Sequence, residues 1–64
     1  MKWYVYFIDL FDHMRRCHCF EDDEAQARHF ANNVGGMVCK NNEVPNWDKI
    51  ASLHKMRMQN DGKY

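Results

Sequence analysis

The feature that most constrains the fold is a nearly continuous apolar run at residues 2–11, which reads Lys-Trp-Tyr-Val-Tyr-Phe-Ile-Asp-Leu-Phe. A strand with one face in water alternates apolar and polar residues, whereas a strand covered on both faces is apolar at almost every position. The run therefore predicts a central strand, from Lys2 to Leu10, with other elements packed above and below it. It is shorter than the roughly 20 apolar residues that cross a bilayer, so we expect no membrane span.

Length and composition indicate one small folded domain. The chain has 64 residues, of which 45% are hydrophobic, and this content favours a packed core over disorder. Nine basic and nine acidic residues cancel, which removes the strong field of a general nucleic-acid binder. Three cysteines without a secretory signal predict thiols in a reducing cytoplasm, or one disulfide with an odd thiol.

A second strand is predicted from Met14 to Phe20, after a polar turn at Asp12 and His13. An even-numbered loop centred on that turn sets a register that places opposite charges across the pair. The predicted cross-strand pairs are Asp9 with Arg16, Ile8 with Cys17, Phe7 with His18, and Tyr6 with Cys19. A slip of one residue would exchange the two faces of the sheet.

Alternation along the hairpin defines two faces. The tyrosine face carries Tyr4, Tyr6, Ile8, Leu10, Cys17 and Cys19. The tryptophan face carries Trp3, Val5, Phe7, Asp9, Arg16 and His18. We expect the first helix to cover the tyrosine face. Two alternatives stay open for the tryptophan face: either the second helix lies over it, with Trp47, Ile50 and His54 against it, or a partner covers it.

The first helix is predicted after the acidic run Glu21-Asp22-Asp23-Glu24, because carboxylates cap the free amides at a helix N-terminus. Asp23 and Gln26 have the spacing of a capping box. The predicted inward stripe is Ala27, Phe30, Ala31 and Val34. Gly35-Gly36 then ends the helix, with Gly35 in the left-handed conformation.

A third strand is predicted at Met37–Lys40, directly after the helix stop. A helix that links two strands normally crosses right-handed over the sheet, which places the third strand beside the first. The predicted order is second, first, third, in agreement with the apolar character of the central strand. The expected fold class is α+β, with a three-stranded antiparallel sheet, one helix on a face and a C-terminal helix.

The C-terminal helix is predicted from about Trp47 to Met58, after a turn at residues 41–43 and a start signal at Pro45-Asn46. Its predicted inward residues are Trp47, Ile50, Ala51, His54 and Met58, with Leu53 and Met56 beside them. An extended segment over residues 51–58 is the competing interpretation. The predicted parts of the single domain, residues 1–64, are a ββαβ core at 1–40, a turn and helix at 41–59, and a frayed tail at 60–64.

Metal binding and catalysis are the two chemical hypotheses. A zinc site would draw on residues 13–19, with Cys39 and His29 as further ligands. Against it, Cys17-x-Cys19 in a strand lacks the turn with which a Cys-x-x-Cys pair holds an ion. The alternative is that all three cysteines are small apolar residues buried beneath the first helix. His18 points away from Cys19 across the strand, so the two form no nucleophile and base pair. We expect a non-enzyme without a cofactor, and a zinc-stapled domain is the third interpretation of function.

Two classes of partner remain for the tryptophan face. Trp3 and Phe7, with basic neighbours, would form a stacking platform for single-stranded nucleic acid if this face were open. Zero net charge and Asp9 within the face favour a protein partner, either a host target or a second copy of the chain. The predicted contact residues are Trp3, Phe7, Arg15, Arg16 and His18, followed by Trp47, Asp22, Asp23 and Glu24. We therefore expect a protein-binding module, with single-strand binding as the alternative.

The layout of residues 2–40 resembles a known group of proteins. It has a strand rich in Tyr and Val, a basic hairpin return, the segment Asp-Glu-Ala-Gln-Ala-Arg-x-Phe-Ala, then Gly-Gly and a short Val-containing strand. This layout is similar to that of many very small bacteriophage and mobile-element proteins, among them anti-CRISPR and other host-takeover inhibitors. The resemblance implies a protein that occludes a surface of a host enzyme or nucleoprotein complex in the host cytoplasm. It carries over no functional residues.

Overall fold

The computed structural model describes residues 1–61. Its elements in chain order are strand β1 (Lys2–Ile8), strand β2 (Arg15–Glu21), helix α1 (Glu24–Val34), strand β3 (Met37–Lys40) and helix α2 (Trp47–Asp61). The strands form one antiparallel sheet in the order β2-β1-β3. The predicted α+β class and strand order are confirmed, with β1 in the centre.

The C-terminal helix is also confirmed, and the interpretation of residues 51–58 as extended chain is wrong. α2 reaches Asp61, and the rest of the predicted tail, residues 62–64, lies outside the residues that the structure describes. Within residues 1–61, neither helix has the length and apolar character that a membrane crossing requires.

The register of β1 with β2 differs from the prediction by two residues. Tyr6 pairs with Cys17, whereas the prediction placed Cys19 opposite it. The cause is the connecting loop, which turns between Phe11 and Asp12, one residue earlier than predicted. Because side chains alternate with a period of two, a shift of two residues leaves each side chain on its predicted face.

α1 packs on the tryptophan face, and the prediction that it covers the tyrosine face is wrong. Trp3, Val5, Ala27 and Ala31 form the buried core between sheet and helix. The half-buried residues packed against this core are Phe7, Phe20, Phe30, Val34 and Val38. Because Ala27 and Ala31 are small, the helix approaches the sheet closely enough to enclose the Trp3 indole.

The ends of α1 form as the sequence predicts. The Asp23 carboxylate accepts a hydrogen bond from the Gln26 N–H at 2.9 Å, and Gly35 is left-handed with φ 65°. Gly36 has a different role, since a Cβ atom there would lie 2.7 Å from the Tyr6 carbonyl oxygen. The second glycine therefore lets the chain pass close to β1 as β3 begins.

α2 lies against the tyrosine face, so the alternative that placed it over the tryptophan face is wrong. The Trp47 indole packs edge-on to the Tyr6 ring, with 5.9 Å between ring centroids. Ile50 is fully buried and His54 is 9% exposed. Each helix thus covers one face of the sheet. Because β1 is apolar on both faces, its sequence pattern does not indicate which helix packs on which face.

The inward stripe of α2 is narrower than predicted. Ala51, Met56 and Met58 were expected to face the sheet, and all three are exposed. Asn46 caps the helix as predicted, since its side-chain oxygen accepts a hydrogen bond from the Lys49 N–H at 3.2 Å. The helix makes contact through positions three to four residues apart, so it leaves part of the tyrosine face open.

Candidate functional site

The loop that joins β1 to β2, residues 9–14, carries the most exposed large apolar side chain of the described chain. We call this segment the hairpin loop. Phe11 is 95% exposed and Met14 is 60% exposed. Leu10 and Met14, predicted at the ends of the two strands, both lie in this loop. Single exposed apolar residues are ordinary on a protein surface, so the significance of Phe11 depends on how firmly the loop holds it.

Asp9 organises the hairpin loop. Its Oδ1 atom accepts hydrogen bonds from the backbone N–H groups of Phe11 at 2.7 Å and Asp12 at 3.4 Å. The Asp9 N–H donates to the Met14 carbonyl, and the Asp9 carbonyl accepts from the His13 N–H, both at 2.9 Å. An aspartate side chain that bonds backbone groups two and three residues ahead folds a turn on itself. The side chain and the backbone of Asp9 therefore both hold the segment that carries Phe11.

Arg16 holds the two acidic residues of the loop together. Its Nε donates to Asp9 Oδ2 at 3.1 Å, and its Nη2 contacts the Asp12 carboxylate. The Phe11 N–H, and to a smaller extent Arg16, lower the pKa of Asp9. The hydrogen bond with Asp12 raises the pKa of Arg16. The predicted attraction between Asp9 and Arg16 is present, although Phe7 and not Asp9 lies directly opposite Arg16.

A histidine pair connects the hairpin loop to α2. His13 Nδ1 lies 3.1 Å from His54 Nε2, so one ring donates and the other accepts the shared proton. His54 is buried, and its Nδ1 has no hydrogen-bond partner among the described residues. No pattern in the sequence indicates this pair, because the two residues are 41 positions apart.

A pocket of about 130 Å³ opens beside Phe11, where the end of β1 meets the C-terminal ends of both helices. Its lining includes the apolar side chains of Phe7, Leu10 and Val34, together with Asp9 and Arg57. Cavities of roughly 150 Å³ hold a benzene-sized group. The pocket therefore has room for one side chain of a partner, next to the aromatic ring that the loop exposes.

Two of the predicted contact residues, Arg15 and Trp47, lie together on the tyrosine face. The Arg15 guanidinium is 4.6 Å from the centroid of the Trp47 ring, a cation–π distance. The ring in turn packs on Tyr6. Arg15 is exposed, so this pair forms a second surface feature, on the side of the sheet away from α1.

The remaining aromatic candidates lie under α1. Trp3 is 9% exposed, and the Phe7 ring packs edge-on to Phe30 at 5.6 Å. His18 lies on the same side, with its ring 4.7 Å from Phe20 and 5.2 Å from Phe30, but the residue is exposed. α1 therefore covers Trp3 and Phe7, the two rings on which a single strand would stack, and leaves His18 in contact with solvent.

The acidic candidates each have a hydrogen-bond or ion-pair partner within the chain. The Asp22 carboxylate accepts a hydrogen bond from the Met1 amino group at 2.5 Å. Asp23 caps α1 as described above, and Glu24 forms a 2.7 Å ion pair with Arg28 one helical turn later. Local bonding accounts for the positions of Asp23 and Glu24, and the contact with Met1, 21 residues away, accounts for that of Asp22.

The three cysteines differ in their exposure and do not form a metal site within residues 1–61. Cys39 is buried as predicted, but Cys17 and Cys19 are exposed, because α1 covers the other face. Burial raises the pKa of the Cys39 thiol. Partial burial also raises the pKa of the Cys17 thiol, and the hydrogen bond with Tyr6 opposes this shift. Among residues 1–61, no group of three or more His, Cys, Asp or Glu side chains could hold a metal ion.

The fold and this surface define a small α+β domain with an internally hydrogen-bonded hairpin loop. Comparison with protein-family models, with curated proteins and with solved structures finds no match to the chain.

Proposed function

We propose that the chain is a non-enzymatic protein-binding module that contacts its partner through the hairpin loop and the pocket beside it. The observation that carries this proposal is the 95% exposure of Phe11 on a backbone held by the Asp9 carboxylate. Aromatic side chains are enriched among the few interface residues that contribute most of the binding free energy. A loop that is already ordered loses less conformational entropy on binding.

The shape of this surface suits a protein partner. An aromatic side chain buries roughly 150–250 Å² when it is covered, and Met14 extends the apolar area across the loop. The pocket next to Phe11 can accept a side chain in return. Asp12 and Arg16 form a charged rim, as in most interfaces between proteins.

The layout shared by residues 2–40 and small phage proteins supports a narrower proposal. In this proposal the partner is a host enzyme or nucleoprotein complex, and the chain inhibits it by occluding a surface. The small size of the chain, 64 residues, suits a protein that acts by occupying a surface.

Affinity capture tests this proposal. Tagged wild-type chain is incubated with a bacterial lysate, and each retained protein is then titrated against the purified wild type and variants. Phe11→Ala should weaken the binding of the true partner at least about tenfold, because interface aromatics contribute about 2 kcal/mol or more. Val44→Ala is the matched control, since Val44 is 85% exposed in a different loop. Equal affinity of wild type and Phe11→Ala for every retained protein would contradict the assignment of the surface.

A further inference from the structure

The outer edge of β2 carries unpaired backbone groups in a regular order. The Asp9 N–H donates to the Met14 carbonyl and the Asp22 N–H to the Met1 carbonyl, at the two ends of the β1–β2 ladder. Because hydrogen-bonded pairs alternate with non-bonded pairs in an antiparallel ladder, the even-numbered residues of β2 bond to β1. The residues whose N–H and C=O groups point outward are Arg15, Cys17, Cys19 and Glu21.

The opposite edge of the sheet is shorter, and its last residue is bonded within the chain. β3 has four residues, and the last of them, Lys40, donates its N–H to Glu43 Oε1 at 2.8 Å. The Lys40 carbonyl accepts the Glu43 N–H at 3.1 Å. β2 has seven residues and contains no proline and no lysine, the residues that commonly protect an open edge. The two edges therefore differ in their capacity to accept another strand.

We propose that β2 pairs antiparallel with β2 of a second copy, about a twofold axis at His18, so that two three-stranded sheets join into one. In this register each outward N–H and C=O meets an outward group of the other copy. The cross-copy pairs are Arg15 with Glu21, Arg16 with Phe20, Cys17 with Cys19, and His18 with itself.

The charges of β2 are complementary to themselves in this register. Arg15 and Glu21 lie at opposite ends of the strand and on the same face. The twofold axis therefore creates two Arg15–Glu21 pairs, one at each end of the joined strands. Among the described residues Arg15 has no carboxylate partner, and Glu21 has only a 3.9 Å contact with Lys2. A shift of two residues would place Cys19 opposite Arg15, and parallel pairing would set like charges side by side. Opposite charges directly across a strand pair favour this register over the others.

Sedimentation velocity in reducing buffer, over a range of concentrations, tests the proposal. The wild type should approach twice the 7.8 kDa mass of the chain as concentration rises. Arg15→Glu and Glu21→Arg should each raise the dissociation constant of the dimer about tenfold or more, and the double variant should recover most of the loss. Lys40→Glu, on the opposite edge of the sheet in β3, should leave the association unchanged. A wild type that stays monomeric at millimolar concentration, or a dimer whose charge reversals are not rescued, overturns the proposal.

If a charge-reversal variant does not fold, disulfide formation across the proposed axis tests the same strand pairing. His18 lies on the proposed axis in a non-bonded pair, where Cα atoms are about 4.5 Å apart, within the range that a disulfide spans. In a Cys17→Ser, Cys19→Ser background, His18→Cys oxidised with diamide should give a covalent dimer. Lys40→Cys in the same background is the control. Equal rates of covalent dimer formation for both variants would overturn the pairing.

Discussion

His13 in the hairpin loop and His54 in α2 share a hydrogen bond, with 3.1 Å between Nδ1 of the first and Nε2 of the second. His13 has a left-handed backbone with φ 58°, a conformation that is uncommon for residues other than glycine. The bond joins the loop that exposes Phe11 to the helix that covers the tyrosine face. The order of the loop and the position of α2 therefore depend on each other.

His13→Ala should destabilise the fold by about 1–2 kcal/mol, because it leaves the buried His54 without the partner of its Nε2 atom. His54→Leu should have a smaller effect, since it replaces a polar ring, whose Nδ1 already has no partner among the described residues, by an apolar side chain. In the His54→Leu background, His13→Ala should change the free energy of unfolding very little. Urea unfolding of the four proteins measures this coupling, and an unchanged effect of His13→Ala in both backgrounds would show that the two rings are independent.

The hairpin loop should lose order in acid. The pKa of Asp9 is lowered in the folded chain, so the unfolded chain binds this proton more readily. The stabilisation from Asp9 is then complete above the unfolded pKa of about 3.9 and is lost as the pH falls through the folded value. Asp9→Asn should destabilise the loop at neutral pH and remove this part of the acid response. Amide chemical shifts of Phe11, followed by NMR from neutral pH into acid, would contradict this account if the wild type and Asp9→Asn titrated alike.

The parts of the fold that the sequence predicts well are those that depend on neighbouring residues. The cap at Asp23 and the stop at Gly35 form within a few residues of chain, and both are present as predicted. The strand order also follows from short-range information, because the apolar run at residues 2–11 identifies the central strand. Alternation also assigned side chains to the correct faces, although the register was shifted by two residues.

The features that the sequence did not reveal depend on contacts between distant residues. Residues on both faces of β1 are apolar, so the choice of helix for each face depends on how α1 and α2 pack. The register depends on the conformation of the hairpin loop, which the Asp9 carboxylate determines. Phe11 was not predicted as a contact residue, although Asp9-Leu10-Phe11-Asp12, an apolar pair between two acidic residues, is the signal that could have found it.

Gly36 should tolerate substitution less well than Gly35. A Cβ at Gly36 would lie 2.7 Å from the Tyr6 carbonyl oxygen and 3.0 Å from Phe7 Cβ, so Gly36→Ala forces β3 away from β1. We expect a loss of about 1–3 kcal/mol, as for other overpacked sites. Gly35→Ala, which meets no atom closer than 3.6 Å, should lose only the roughly 1 kcal/mol of a left-handed alanine. Thermal unfolding of both variants compares the two costs, and a milder effect at Gly36 would argue against the close approach of the strands.

The packing of α2 on the tyrosine face can be tested with one buried and one exposed residue of this helix. Ile50 is fully buried whereas Met56 is 59% exposed. Ile50→Ala should therefore destabilise the chain by about 2–5 kcal/mol, because it removes buried methyl groups and leaves a cavity. Met56→Ala is the matched control on the same helix and should change the free energy of unfolding by no more than about 0.5 kcal/mol. Denaturant unfolding measures both. If α2 were not packed on the sheet, the two substitutions would have equally small effects, and the tyrosine face would be open to solvent along its whole length.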